Sequence, residues 1–287
     1  MKARLALATL GLLLAAPALA QGPAGEPNAP ISERPGDFSI GLGLAYGPSY
    51  EGSDDYTIRP AGVLRADLGQ VLLVTRGTYL YADVLDGADD SDEPDAPGLD
   101  FEFGPVAGVR LNRNSGIEDR RVRRLGELDA AIEVGAFAGI GYEGLTNPYD
   151  RLGARVEVLY DAADVHGSIT VSPSVEFQTP LSQATFVGVS VSAEFVEDEY
   201  ARTYFSVSPA GAAASGLSPF NAEGGYKNWG ASLFAAHSLS GDIRRGFALF
   251  GLANYKSLQN DFRRSPLVRE AGDPDQWFVA AGVSYTF

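Results

Sequence analysis

The chain closes on "DQWFVAAGVSYTF", residues 275–287, and the reading of this stretch decides the fold. Split by parity, Trp277, Val279, Ala281, Val283, Tyr285 and Phe287 share one face. Phe278, Ala280, Gly282, Ser284 and Thr286 share the other. Period-two alternation is the signature of a strand. The first face is apolar with aromatics at both ends, and the second is small and mostly hydroxyl or glycine. A soluble sandwich would continue into polar residues, whereas aromatics bracketing an apolar band suit a strand that crosses a bilayer.

The same alternation recurs along the chain. In "FSIGLGLAY" (38–46), Phe38, Ile40, Leu42, Leu44 and Tyr46 oppose Ser39, Gly41, Gly43 and Ala45. In "SITVSPSVEF" (168–177), Ile169, Val171, Val175 and Phe177 oppose Ser168, Thr170, Ser172, Ser174 and Glu176. "TFVGVSVSAEF" (185–195) sets Val187, Val189, Val191 and Phe195 against Gly188, Ser190, Ser192 and Glu194. "ELDAAIEVGAFAGI" (127–140) sets Leu128, Ala130, Ile132 and Val134 against Glu127, Asp129 and Glu133. Carboxylates in mid-strand opposite Val and Ile need water or a partner, and this places Glu102, Glu127, Asp129, Glu133, Glu176 and Glu194 in a lumen facing Arg110, Arg155 and Lys256. Mixed signs fit an internally bridged or plugged barrel as readily as an open pore.

Strands are expected near 37–46, 56–66, 69–76, 77–85, 99–111, 125–141, 151–160, 168–178, 184–196, 224–238, 246–257 and 275–287. The result is an all-β fold, a transmembrane antiparallel up-and-down barrel of about 12 strands within a range of 10–14. An even number suits a single-chain bacterial barrel. The stretch 69–85 reads as one long strand or two short ones, and 202–208 alternates yet sits in a long connection. While 69–85 is open, the side of the membrane taken by loops 86–98 and 112–126 stays open too. Loops 197–223 and 258–274 fall outside the cell if the last strand descends to a periplasmic C-terminus.

The N-terminus supplies the compartment. "MKARLALATLGLLLAAPALA" has Lys2 and Arg4, an apolar core and a small-residue end, the pattern of a secretory signal peptide over residues 1–20. Residues 21–36, "QGPAGEPNAPISERPG", read as a flexible leader, and 37–287 as the barrel. The formal charge is −15; without Lys2 and Arg4 it is −17. An acidic balance argues against nucleic acid. The sequence has no cysteine and two histidines, which excludes a disulfide framework and leaves little for a metal or cofactor site.

Catalysis is not expected. His237 is followed by Ser238, and adjacent strand residues point to opposite faces, so they form no nucleophile–base pair. His166 lies in a turn. "DGADDSDEPD" lacks the spacing of an EF-hand loop and reads as a solvated acidic loop. Arg120, Arg121, Arg123 and Arg124 form a basic run suited either to lipopolysaccharide phosphates or to an acidic partner, set against a plain rim of charge. Tyr226, Trp229, Tyr255, Trp277 and Tyr285 read as interfacial girdle residues.

Several stretches resemble the MipA/OmpV family (MltA-interacting protein) of Gram-negative outer-membrane proteins. These are "GLGLAYGPSYEGSDDYTIRPAGVLRAD" (41–67), "YFSVSPAGAAASGLSPFNAEGGYKNWGASLFAAHSLSGD" (204–242), and "NDFRRSPLVREAG" (260–272) with "VAAGVSYTF" (279–287). The specific points are Tyr50, Glu51, Gly52, Ser53 and Asp54, the Ser215–Leu217 turn, and Ser265, Pro266, Leu267 and Val268. The resemblance implies a monomeric barrel in outer-membrane lipid, acting as a scaffold for a lytic transglycosylase and a murein synthase. Other members of the family imply surface binding through long loops, and a narrow solute pore is the further alternative. The resemblance also makes Tyr285 and Phe287 the C-terminal assembly signal.

Overall fold

The computed structural model describes residues 38–85 and 98–287. The expected signal peptide, the leader and nearly all of the acidic 86–98 connection lie outside the described residues. Twelve antiparallel strands close into one barrel in sequence order. They are β1 (Phe38–Pro48), β2 (Tyr56–Asp67), β3 (Leu72–Arg76), β4 (Tyr79–Asp83), β5 (Gly98–Arg110), β6 (Ala131–Glu143), β7 (Arg151–Asp161), β8 (Ile169–Ser182), β9 (Thr185–Val196), β10 (Gly225–Ser238), β11 (Gly246–Leu258) and β12 (Asp275–Thr286). The terminal stretch is the closing strand: β12 pairs with β1 from Ser39↔Thr286 to Tyr46↔Val279. Closure pairs the first strand with the last, the condition for spanning lipid with strands.

The ambiguous 69–85 stretch is two strands of five residues each, joined by a tight turn at Gly77, whose φ is +58°. This makes the count even and fixes relative sidedness. Residues 49–55, 111–130, 162–168, 197–224 and 259–274 lie at one end, the loop end. Both barrel termini, the turns 68–71, 144–150, 183–184 and 239–245, and the ends of β4 and β5 that flank 86–97 lie at the other, the turn end; the Gly77 turn points toward the loop end. The expected strand over 125–141 is corrected at its start: β6 begins at Ala131. Glu127 and Asp129 are exposed loop residues and do not face the lumen. The loop happens to alternate polar and apolar residues just ahead of the strand, so parity alone ran past its beginning.

Outward side chains are apolar and exposed, among them Leu42, Leu44, Val156, Val175, Val191, Leu233 and Val283. Aromatics bracket this band. At the loop end, Trp229, Tyr255 and Trp277 form a continuous run with ring centroids 5.4 and 5.1 Å apart, and Tyr46 meets Tyr56 at 5.1 Å. At the turn end, Phe38, Phe287, Tyr285 and Phe247 stack in series at 4.8–5.5 Å. Trp277 and Tyr285 are eight residues apart, roughly 27 Å along a strand and about 20 Å along the axis of a barrel tilted by ~40°. No described helix is long and apolar enough to cross a membrane.

Five short helices gather at the loop end: α1 (Arg120–Arg123), α2 (Asp198–Phe205), α3 (Pro209–Ser215), α4 (Asn260–Arg264) and α5 (Pro266–Arg269). The 202–208 stretch therefore finishes α2 and then makes one isolated bridge, Val207↔Phe220. Two apolar clusters bind these pieces into a cap. One joins Val196, Tyr200, Tyr204, Phe205, Leu258, Phe262 and Val268; the other joins Tyr50, Ile117, Val122, Val207, Leu217 and Leu267.

Candidate functional site: the capped lumen

Inward strand positions carry charge, and the structure pairs that charge in two layers. Beneath the cap, Lys227 Nζ stands 2.7 Å from Glu194 Oε2 and 3.0 Å from Glu51 Oε1. Lys256 Nζ lies 3.6 and 3.8 Å from the same two carboxylates. Arg110 Nε bonds Glu133 Oε1 at 2.9 Å, and Arg110 also lies 3.5 Å from Glu194. Tyr200, on α2, accepts from Lys227 Nζ at 2.8 Å and donates to Glu51 Oε2 at 3.0 Å. The cap is thereby pinned to the barrel floor. Tyr79 adds a hydrogen bond to Glu133.

Nearer the turn end, Arg151 reaches Asp100 at 2.8 Å, Glu102 at 2.7 Å and Glu176 at 3.2 Å. Arg155 Nε donates to Glu102 at 2.8 Å and its guanidinium lies 4.8 Å from the Phe137 ring centre. Arg76 is 3.9 Å from Glu176 and stacks on Tyr81, which donates to Glu157. In the upper layer Glu51, Glu133 and Glu194 oppose Arg110, Lys227 and Lys256; in the lower, Glu102, Glu157 and Glu176 oppose Arg76, Arg151 and Arg155. Buried charge is tolerated only when paired and hydrogen-bonded, and each layer sets acids against bases. Toward the turn end Phe186, Phe234 and Phe250 converge in an apolar cluster within the lumen. The interior is thus a filled core, as the intermediate width of twelve strands allows.

Glu102, Glu133, Glu176 and Glu194 meet Arg110, Arg155 and Lys256 inside, as strand parity places them. Arg151 and Glu157 share the parity of Arg155 and carry the same signal. Lys227 could not be found that way. Alternation from Trp229 puts it toward lipid, but a bulge between Tyr226 and Asn228 turns both Lys227 and Asn228 inward. Bulges re-aim side chains in this manner. Glu51 is missed because it lies in a loop.

The resemblance residues converge on one another in the cap. Tyr50 Oη donates to the carbonyls of Ala271 (2.5 Å) and Leu267 (3.1 Å), and burial pushes its phenol up. Gly52 has φ +98°, and a Cβ there would lie 2.5 Å from Val268 Cγ2. Its N–H donates to Gln276 Oε1 at 2.9 Å. Ser53 Oγ pairs with Ser49 Oγ at 2.9 Å, while Asp54 is exposed. Ser265 Oγ caps α5 and donates to the Phe205 carbonyl at 2.6 Å, and Pro266 occupies the first helical turn, where its missing N–H costs nothing.

The arginine run is α1 itself. Arg121 bonds Asp119 and the Glu270 carbonyl, and Arg123 the carbonyls of Ile117 and Glu118. Arg120 and Arg124 are exposed on the outer face of the cap. Tyr285 and Phe287 lie in the turn-end aromatic run. His237 is exposed and bonds Thr185 Oγ1 at 2.9 Å, while Ser238 points inward. His166 is buried under the cap, with Nδ1 2.9 Å from Ser168 Oγ and Nε2 3.0 Å from Glu133. This chain of Ser, His and Glu is sealed by Tyr200 and Tyr204, whose rings lie 5.1 and 5.7 Å from the imidazole. With Ser168 2% exposed, no substrate carbonyl has room to approach, and the arrangement anchors the 162–168 loop. No group of His, Cys, Asp and Glu among the described residues is arranged to hold a metal ion.

A closed, even-numbered antiparallel barrel with two aromatic girdles and an apolar belt is an outer-membrane β-barrel protein. The sequence model of the family described as MltA-interacting protein MipA matches residues 40–287, and the chain belongs to that family. A sequence search found no matching curated protein. Among solved structures, an outer membrane channel from Pseudomonas putida F1 is 13% identical over 93% of this chain and 100% of its own, with TM-score 0.40. An anion-selective porin from Comamonas acidovorans is 16% identical over 86% of this chain, with TM-score 0.34, and the match spans 59% of the porin. OmpT of Vibrio cholerae is 9% identical over 94% of this chain and 100% of its own, with TM-score 0.37. These likenesses carry nothing about cargo.

Proposed function

We propose that this barrel is a non-enzymatic, non-conducting scaffold that holds murein-remodelling enzymes, a lytic transglycosylase and a murein synthase among them, against the outer membrane. The observation that carries the reading is the filled lumen: two layers of ion pairs and an aromatic cluster occupy the space a solute path would need. The family's description as MltA-interacting supports the choice of partner. Long loops face outward and short turns the periplasm in such barrels, so docking falls to the turn end, on segments 68–71, 144–150 and 239–245. The test immobilises the refolded barrel and passes purified lytic transglycosylase and murein synthase over it at moderate salt. Saturable retention supports the scaffold; an empty column with a folded barrel, or steady conductance in a planar bilayer, overturns it.

A further inference from the structure

The barrel wall is uneven. Most strands run 11–14 residues, but β3 and β4 have five. Pairing of β2 with β3 covers only Arg65↔Val74 to Asp67↔Leu72. Just above, Thr75 Oγ1 bonds both the N–H (2.8 Å) and the carbonyl (3.4 Å) of Leu64. Even-numbered residues of β2 therefore turn their backbone groups toward β3, and beyond Leu64 no described strand meets Gly62, Pro60 or Ile58 on that side. Pro60 sits where its missing N–H goes unneeded, as proline does at a sheet edge. Ile58 is 69% exposed. Such an edge within a bilayer needs a polar partner, which acyl chains cannot provide.

Behind the low wall lies a recess of about 70 Å³. Thr78 and Tyr79 at the hairpin tip form its near side, with Pro48, Val109, Leu111 and Phe278 as apolar lining. Glu51, Arg110, Asn112, Asn254, Lys256 and Gln276 supply the polar part. Beside the recess and outside its lining, on the inward face of β2 opposite Ala45, stands Arg59. Its guanidinium bonds the Ser49 carbonyl at 3.2 Å, and among the described residues no carboxylate pairs with it. An apolar rim, a polar floor and a cation without a counter-ion fit an amphiphile with an anionic head, and the guanidinium fork suits phosphate.

We propose that the gap between β2 and the β3–β4 hairpin is a side port through which the phosphate head of a membrane amphiphile enters the recess, its chains staying in the lipid. The head accepts from N–H groups on the open edge of β2 and lies beside Arg59. This binding site is independent of whatever docks at the turn end.

The chain has no cysteine, so single cysteines report access cleanly. Asn254→Cys places a thiol in the recess, Thr78→Cys at its rim, and Gln178→Cys at a buried lumen position outside it. Each full-length variant is refolded into vesicles, checked for heat-modifiable mobility, and exposed to a phospholipid carrying maleimide on its head group or to a water-soluble maleimide. The lipid reagent is expected to label Asn254→Cys and Thr78→Cys at least ten-fold faster than Gln178→Cys. Dodecyl phosphate is expected to protect Asn254→Cys several-fold better than dodecyl maltoside, and Arg59→Gln to abolish that difference. Competition by phosphatidylglycerol or by lipid A identifies which phosphate-headed lipid takes the site. Equal labelling of all three thiols, labelling by the soluble reagent alone, or protection indifferent to head group and to Arg59 would overturn the proposal.

Discussion

Lys227 is the residue on which the most depends. It is fully buried and holds Glu51 and Glu194 together. Removing one member of a buried ion pair leaves uncompensated charge and costs about 3–5 kcal/mol. Lys227→Met is therefore expected to lower the unfolding free energy of the refolded barrel by that amount, read from urea titrations followed by fluorescence of Trp229 and Trp277. Adding Glu194→Gln to Lys227→Met removes a stranded charge and should recover part of the loss, and a double variant no better than the single would refute the pairing account. Tyr50→Phe deletes the one hydroxyl donor that Ala271 and Leu267 share, which ties the 49–55 loop to α5. Each carbonyl left bare costs roughly 1–3 kcal/mol, felt in the cap and not in the strands. Limited proteolysis within 197–224 should speed up at least ten-fold while heat-modifiable mobility is unchanged. Intact cap resistance in that variant would show that the resemblance residues do not act as its keystone.

Elements differ in how far they were legible. Strand parity read well because one face meets lipid and the other a packed interior, so exposure alternates along the strand, as in β7 and most of β12. The cap helices were not legible, since four of the five are shorter than two turns and such pieces show no 3.6-residue period. The β10 bulge hid Lys227, because a single extra residue inverts the parity beyond it. At the β3–β4 hairpin the chemistry of alternation was visible but the length was not, and length is what lowers the wall. With only three register pairs to β2 and three to β5, this hairpin should lose amide protection first. Hydrogen exchange on the folded barrel is expected to show β3 and β4 exchanging at least ten-fold faster than β6–β9, and uniform protection around the barrel would contradict the description of that wall.

At the scale of the whole molecule, the cap and the charge layers act as one closure, and its acid response has a definite sign. Burial alone would raise the Glu51 carboxyl, but Lys227 and Lys256 outweigh it and hold it below its ordinary value. Burial also works against Asp119, where N–H donation from Val122 and Arg121 at the head of α1 prevails and lowers it. Glu270 is lowered by its hydrogen bond from Ser218. A carboxyl whose folded pKa lies below the unfolded one stabilises fully above the unfolded value, about 4–4.5. That contribution is lost as pH falls through the folded value. The cap should thus stay closed from pH 7 down to about 5 and loosen only below about 4, these three carboxyls outnumbering Asp55, which burial raises. Planar-bilayer recording across this range, paired with cleavage of 197–224 by an acid-active protease, reads the closure directly. Silence at pH 7 and 5 followed by flickering conductance and faster cleavage near pH 3 is the expected pattern. Opening at neutral pH that acid reverses would mean that repulsion among carboxylates, and not their pairing with Lys227 and Lys256, governs the lumen.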